Sequence, residues 1–242
     1  MAPSDFDYGS ALFLDLDGTL LEIAATPELV VIPPNLPGIL AQLHTVLGGA
    51  LAIVTGRPVG DIDRFLAPLR PTVAGLHGLD LRCRGRPTDE PQPASPALAP
   101  VRQAFRAFGD RFAGTLVEDK RLSIALHYRQ RPEAAEAALE LARRLVTESA
   151  GALRLQSGKM VVELLPAGGD KGTAIAALAA LPPFAGRMPV FLGDDVTDEA
   201  GFHTVNALGG LSVRVGAGAS AAACRLVDVP AVHAWLARSL ER

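Results

Sequence analysis

The chain has 242 residues, of which 49% are hydrophobic, and a formal net charge of −3. That length holds one large domain or two modest ones, and the apolar content excludes a disordered chain. A near-balanced charge without a Lys/Arg block argues against a nucleic-acid or membrane surface as the main partner.

Cys83 and Cys224 are too few for a disulfide framework and suit a reducing compartment. Residues 1–10 show no basic segment leading into a long apolar core, so no secretory signal is expected. No apolar run approaches the roughly 18 residues of a membrane helix. The expectation is a cytoplasmic, soluble monomer acting on a small molecule, with no nucleic acid and no membrane.

The first element is the apolar run Ala11–Leu14, which has strand length and ends in Asp15, Leu16, Asp17, Gly18 and Thr19. A side-chain period of two points Asp15 and Asp17 the same way as the strand opens into its loop. Two crowded acids repel unless a cation or a shared proton relieves them. Taken alone, Asp-Gly is also an ordinary turn signal.

Residues 22–37 are proline-rich and lack periodicity, so they read as a loop covering the site. Leu36, Ile39, Leu40, Leu43, Val46 and Leu47 follow helical spacing, and Gly48-Gly49 ends that helix. Ala50–Val54 is a second buried strand, terminated by Thr55-Gly56-Arg57-Pro58. A helix over about 60–66 precedes a third strand, Thr72–Gly75, which runs into Leu76-His77-Gly78.

This alternation predicts a Rossmann-like parallel-sheet core with helices on both faces, whose ligands bind beyond the carboxyl ends of the strands. Asp15, Thr55 and His77 would then meet at one edge.

Residues 87–100 hold five prolines among polar residues and read as a linker. Val101, Phe105, Phe108 and Phe112 beyond it mark a helix, and that stripe is core packing. A β segment over 116–129, a helix over about 132–149 and a second β segment over 153–165 complete a smaller α+β insert. The predicted division is a core of residues 1–98 and 167–242 interrupted by an insert of residues 99–166.

Gly168-Gly169-Asp170-Lys171-Gly172-Thr173 leads into a helix over 174–181, which puts a lysine at a helix N-terminus. The macrodipole disfavours a cation there, but with free N–H groups it makes an anion pocket. Val190–Gly193 is the next strand, ending in Asp194-Asp195-Val196-Thr197-Asp198-Glu199. Leu211–Val215 is predicted as the last strand, and Val232, Trp235, Leu236 and Leu240 mark the inner face of a closing helix. Gly216–Ala221 loosely matches a dinucleotide loop, but too little chain follows it for the βαβ unit that fingerprint requires.

The strand ends therefore gather Asp15, Asp17, Thr55, Asp194 and Asp195, joined by Lys171. Oxygen ligands without His or Cys point to magnesium, and no H-E-x-x-H or Cys/His spacing supports zinc. A hydroxyl, a lysine, backbone N–H groups, a metal and a nucleophilic carboxylate suit phosphoryl transfer through an aspartyl-phosphate.

These residues resemble the haloacid dehalogenase-like phosphatases. The likeness rests on Asp15-Leu16-Asp17-Gly18-Thr19, Thr55-Gly56-Arg57, Lys171-Gly172 and Gly193 to Glu199. Val117-Glu118-Asp119-Lys120, Ser123, His127-Tyr128-Arg129, Ser157-Gly158-Lys159, Val162-Glu163-Leu164 and Pro166 further resemble the trehalose-6-phosphate phosphatase family.

The resemblance implies that Asp15 is the nucleophile and a Mg2+ ligand. Asp17 would be the general acid and base, with its backbone carbonyl on the metal, while Thr55 and Lys171 hold the phosphate. Asp194 would complete the metal shell, with Asp195 and Asp198 in support. The insert would be a cap, with Glu118, Lys120, Lys159, Glu163 and Arg129 on the sugar and His127 a further candidate. Arg57 stands open between contacting the ligand and pairing with a core acid. His77 stands open between the site and a turn role, and His44, His203 and His233 are expected to be structural or exposed.

The expected reaction is hydrolysis of trehalose 6-phosphate to trehalose and phosphate. Its rivals are another sugar phosphate (sucrose phosphate, mannosyl phosphoglycerate) and a non-catalytic sugar-phosphate sensor.

Overall fold

The computed structural model describes residues 2–26, 29–83 and 95–241. In chain order the elements begin with β1 (Ser10–Leu14), α1 (Leu36–Val46), β2 (Leu51–Val54), α2 (Val59–Leu66), β3 (Thr72–Gly75) and β4 (Asp80–Arg82). Next come α3 (Leu98–Arg111), β5 (Leu116–Asp119), β6 (Ile124–His127), α4 (Ala135–Glu148), β7 (Leu153–Gly158) and β8 (Val161–Pro166). The chain closes with α5 (Lys171–Ala179), β9 (Met188–Gly193), α6 (Glu199–Ala207), β10 (Leu211–Val215), β11 (Cys224–Leu226) and α7 (Val229–Leu240).

Contacts divide the described residues into two compact units, one formed by those before 84 and after 168, the other by residues 95–168. Of the predicted linker, residues 87–94 lie outside the described residues. Leu98, Ala99 and Pro100 belong instead to the first turn of α3, where a proline has no helical N–H to lose. Likewise Leu36 and Pro37 of the predicted proline-rich loop open α1, while residues 27 and 28 lie outside the described residues.

The first unit is a seven-stranded sheet in the order β11-β10-β9-β1-β2-β3-β4. Every pair is parallel except β3–β4. Strands β1, β2 and β3 are buried along their whole length, which is why they read as continuous apolar runs. Helices cover both faces, α1 packing with α7 and α5 with α6.

Phe13 and Phe191 are register partners on β1 and β9; Phe191 meets Phe202 of α6 at 5.3 Å between centroids. Each such fully buried ring contributes roughly 1.5–3 kcal/mol of burial. Strand alternation then carries Asp15, two residues past Phe13, to the face covered by α5 and α6.

Two strands depart from expectation. Leu211–Val215 is not the last, because β11 adds to the edge beside it. At three half-buried residues β11 is too short to leave a hydrophobic pattern. β4 is a three-residue antiparallel edge and escaped notice for the same reason.

The second unit is a four-stranded antiparallel sheet, β5-β6-β8-β7. Ile124, Leu126, Val162 and Leu164 face the two helices, sharing a core with Val101, Phe105, Phe108 and Ala138. Alternation gives the other face a cross-strand row of Glu118, Ala125, Glu163 and Gln156.

No helix among the described residues is long and apolar enough to cross a membrane.

Candidate active site

Four of the predicted residues form one buried group at the carboxyl end of the sheet. Lys171 Nζ donates to Asp15 Oδ1 at 2.6 Å and to Asp198 Oδ1 at 2.6 Å. Carboxylate oxygens of Asp15, Asp194 and Asp198 lie within 4.8 Å of one another. Thr19 Oγ1 donates to the second oxygen of Asp15 at 3.3 Å.

Local structure explains each placement. Asp170 caps α5, accepting from Thr173 N at 2.7 Å, while Thr173 Oγ1 accepts from Asp170 N at 2.7 Å. That cap sets Lys171 as the first helical residue, with its ammonium turned into the sheet edge rather than left at the positive end of the dipole. Asp195 and Asp198 cap a short 3-10 turn reciprocally after β9. Asp198 Oδ2 accepts from the N–H groups of Asp194 and Asp195, both at 2.9 Å, so one carboxylate both folds the loop and holds the lysine.

Two glycines leave the space these acids occupy. A Cβ on Gly18, where φ is +89°, would stand 2.2 Å from Asp194 Oδ2. One on Gly193 would stand 2.4 Å from Asp198 Cγ. Gly18→Ala should therefore destabilise the protein by about 2–4 kcal/mol, combining left-handed strain with overpacking. Urea unfolding measures it, and an unchanged midpoint would show that Asp194 does not rest on that loop.

Three buried carboxylates surround one ammonium in this group. Burial pushes the Asp15 carboxyl up, and Asp198 and Asp194 add to this against the opposing pull of Lys171. Burial alone would lower Lys171, but Asp15 and Asp198 outweigh it and hold the ammonium well above its ordinary range. Three crowded carboxylates against one ammonium, all-oxygen donors, and a cradle that only glycine permits fit a hard divalent cation. Asp198 Oδ2 already accepts two backbone N–H groups at 2.9 Å, whereas the second oxygen of Asp15 meets only the Thr19 hydroxyl at 3.3 Å, so Asp15 and Asp194 are the better-placed ligands.

Thr55 follows β2, beside β1, and is buried. Its Oγ1 accepts from Arg57 N at 3.1 Å and its carbonyl accepts from His77 N at 3.0 Å. The Asp17 side chain does not join the three-carboxylate group. It is held by Arg57, with Nε to Oδ2 at 2.6 Å and Nη2 to Oδ1 at 2.7 Å. Arg57 thus pairs with an acid of the site loop. Asp195 also stands outside the carboxylate group, and its carbonyl accepts from Arg214 at 3.1 Å.

His77 is buried with φ +55°, and a Cβ on Gly56 would lie 2.7 Å from its Nε2. His233 reaches Leu20 O at 2.8 Å.

In the second unit, Glu163 accepts from Ser123 Oγ at 2.5 Å and from Lys120 Nζ at 3.2 Å. Glu118 lies 2.9 Å from His127 Nε2 and 3.8 Å from Lys120 Nζ. Burial would raise Glu118, but the His127 hydrogen bond and the Lys120 charge hold it below the usual carboxylate range. Arg129 instead donates to the Lys159 carbonyl at 3.0 Å, at the β7–β8 turn. Ser123 and Gln156 join this polar face beside Glu163. Ser123 is among the residues that carry the resemblance, and strand register is what places Gln156 there.

The trehalose-phosphatase family model matches residues 13–226. Over 226 residues the chain is 43% identical to the trehalose-6-phosphate phosphatase of Escherichia coli (strain K12), covering 93% of this chain and 85% of that relative. A probable trehalose-phosphate phosphatase of Sinorhizobium fredii (strain NBRC 101917 / NGR234) is 45% identical over 207 residues, covering 85% and 77%. Among solved structures, the C-terminal domain of C. albicans trehalose-6-phosphate phosphatase matches with a TM-score of 0.84 at 21% identity. That match covers 96% of this chain and 92% of that one, and it is a likeness of fold.

Proposed function

The chain belongs to the trehalose-phosphatase family, on the haloacid dehalogenase-like fold, and from that premise we propose that it hydrolyses trehalose 6-phosphate through an aspartyl-phosphate on Asp15. The observation that supports this most is the buried Asp15–Lys171 contact at 2.6 Å beside Asp194.

In the proposed sequence, the Asp15 carboxylate attacks phosphorus and the bond to the sugar oxygen breaks. The departing oxygen takes a proton from Asp17. A water molecule then gives its proton to Asp17 and attacks the acyl phosphate, releasing phosphate and restoring both acids. Lys171 and Thr55 hold the phosphoryl oxygens, so their positive and donor groups face the charge that develops there.

Asp15, Asp194 and the Asp17 backbone carbonyl would hold a magnesium ion, with Asp198 and Asp195 in support. When bound, that ion neutralises the nucleophile and the phosphoryl oxygens. Glu118, Lys120 and Glu163, with Arg129 and Lys159, supply the hydrogen-bonding groups for sugar hydroxyls from the inserted domain, residues 99–166, acting as a cap. The two free cysteines suit a reducing cytoplasm, where the enzyme would act on its small-molecule substrate as a monomer.

The test is phosphate release from trehalose 6-phosphate beside glucose 6-phosphate, sucrose phosphate and mannosyl phosphoglycerate, with and without magnesium. We expect kcat/KM to favour trehalose 6-phosphate by at least about 100-fold, the discrimination that a few satisfied sugar hydrogen bonds provide. Preference for another sugar would move the substrate assignment. Tight binding without metal-dependent release would favour a sensor.

A further inference from the structure

Arg57 is a nearly buried arginine, 8% exposed, whose guanidinium is held from several sides. Nε and Nη2 form a fork on the two oxygens of Asp17, at 2.6 and 2.7 Å. Nη1 stands 3.7 Å from Asp61 Oδ2, and the guanidinium carbon sits 5.1 Å from the Phe65 ring centroid. Its backbone is fixed as well. The N–H donates to Thr55 Oγ1, and the carbonyl accepts from Leu76 N at 3.1 Å. The turn that makes this last contact holds Leu76 and His77 at φ +47° and +55°, a conformation non-glycine residues adopt only under strong local constraint.

A group so constrained is poorly suited to reach for a substrate. It is well suited to fix the carboxylate it holds. Asp17 is on the loop after β1 and a third exposed, so left alone its side chain would sample several rotamers. A planar fork sets both of its torsions at once and uses one lone pair on each oxygen, leaving the others for proton exchange.

We propose that Arg57 is a positioning residue that acts through Asp17, orienting the carboxylate that passes protons to the sugar oxygen and from the water. This rests on the proposed acid–base role of Asp17. It replaces direct substrate contact by Arg57 with control of another side chain.

A double-mutant cycle tests it, using Asp17→Asn, Arg57→Gln and the pair together. Steady-state phosphate release is measured over a range of concentrations of trehalose 6-phosphate, or of whichever sugar phosphate of the panel is turned over fastest. We expect Arg57→Gln to lower kcat about 10- to 100-fold with KM within about threefold, since misorientation of a catalytic group acts on the chemical step. In the Asp17→Asn background the same change should lower the rate by less than about threefold, because the group it serves is gone. Arg57→Lys should restore only part of the loss, as an ammonium cannot form the fork.

Additive losses in the double variant would overturn the proposal, as would a raised KM at unchanged kcat. Near-normal turnover by Asp17→Asn alone would instead sink the acid–base role of Asp17. If Arg57→Gln fails to fold, Arg57→Lys carries the same cycle and the same criterion of non-additivity.

Discussion

Asp15→Asn is expected to reduce phosphate release by roughly 10^4-fold or more, the scale on which a covalent nucleophile is lost, while the chain keeps its fold. The two expectations arise from the same geometry. Asparagine keeps an oxygen to accept from Lys171 and has nearly the same volume, so β1 and α5 need not move. It has no charge with which to attack phosphorus.

The stability effect also has a sign. Burial, with Asp198 and Asp194, raises the Asp15 carboxyl above its unfolded value. Such a group contributes stability that is present below the unfolded carboxylate pKa and is lost as pH rises through the folded one. At neutral pH without a divalent ion, Asp15 therefore opposes folding, and Asp15→Asn should melt at or above the parent. Added magnesium should raise the melting temperature of the parent more than that of the variant. A variant that melts several degrees lower and releases phosphate normally would remove Asp15 from the centre of the site.

Asp15 was legible from sequence because a parallel strand buried on both faces leaves a continuous apolar run, and an acid at its end is conspicuous. Asp194 and Lys171 were legible for related reasons, one ending a strand and the other opening a helix. Pairing between side chains was not. Arg57 and Asp17 lie 40 residues apart, and nothing in either stretch says that one would grip the other. The double service of Asp198, as loop cap and lysine partner, depends on the reciprocal turn that only the folded loop displays. β4 and β11 escaped because three residues at a sheet edge carry no period to read. In the second unit the helix-facing pattern of Ile124 and Leu126 was visible. The row on the opposite face is a matter of register, which sets Glu163 beside Ala125 and Gln156 and which no single strand displays.

Lys171→Met should lower both stability and activity, and the stability loss should depend on pH. Its ammonium is the cation that contacts Asp15 and Asp198, both buried. Removing one partner of a buried pair leaves uncompensated charge and typically destabilises by about 3–5 kcal/mol. In the parent, the lysine is held above its ordinary pKa by those two acids. Its contribution is therefore fully present throughout the neutral range and is lost only as pH rises beyond the ordinary lysine range. In the variant the orphaned carboxylates can be relieved only by protonation, whose cost shrinks as pH falls. Urea unfolding at pH 5 and pH 8 should thus show the larger deficit at pH 8. Turnover should fall by roughly 10^2- to 10^3-fold, as for other preorganised donors to a developing oxyanion. A deficit equal at the two pH values would mean that the carboxylates do not depend on Lys171 for their charge balance, and the electrostatic account of the site would fail with it.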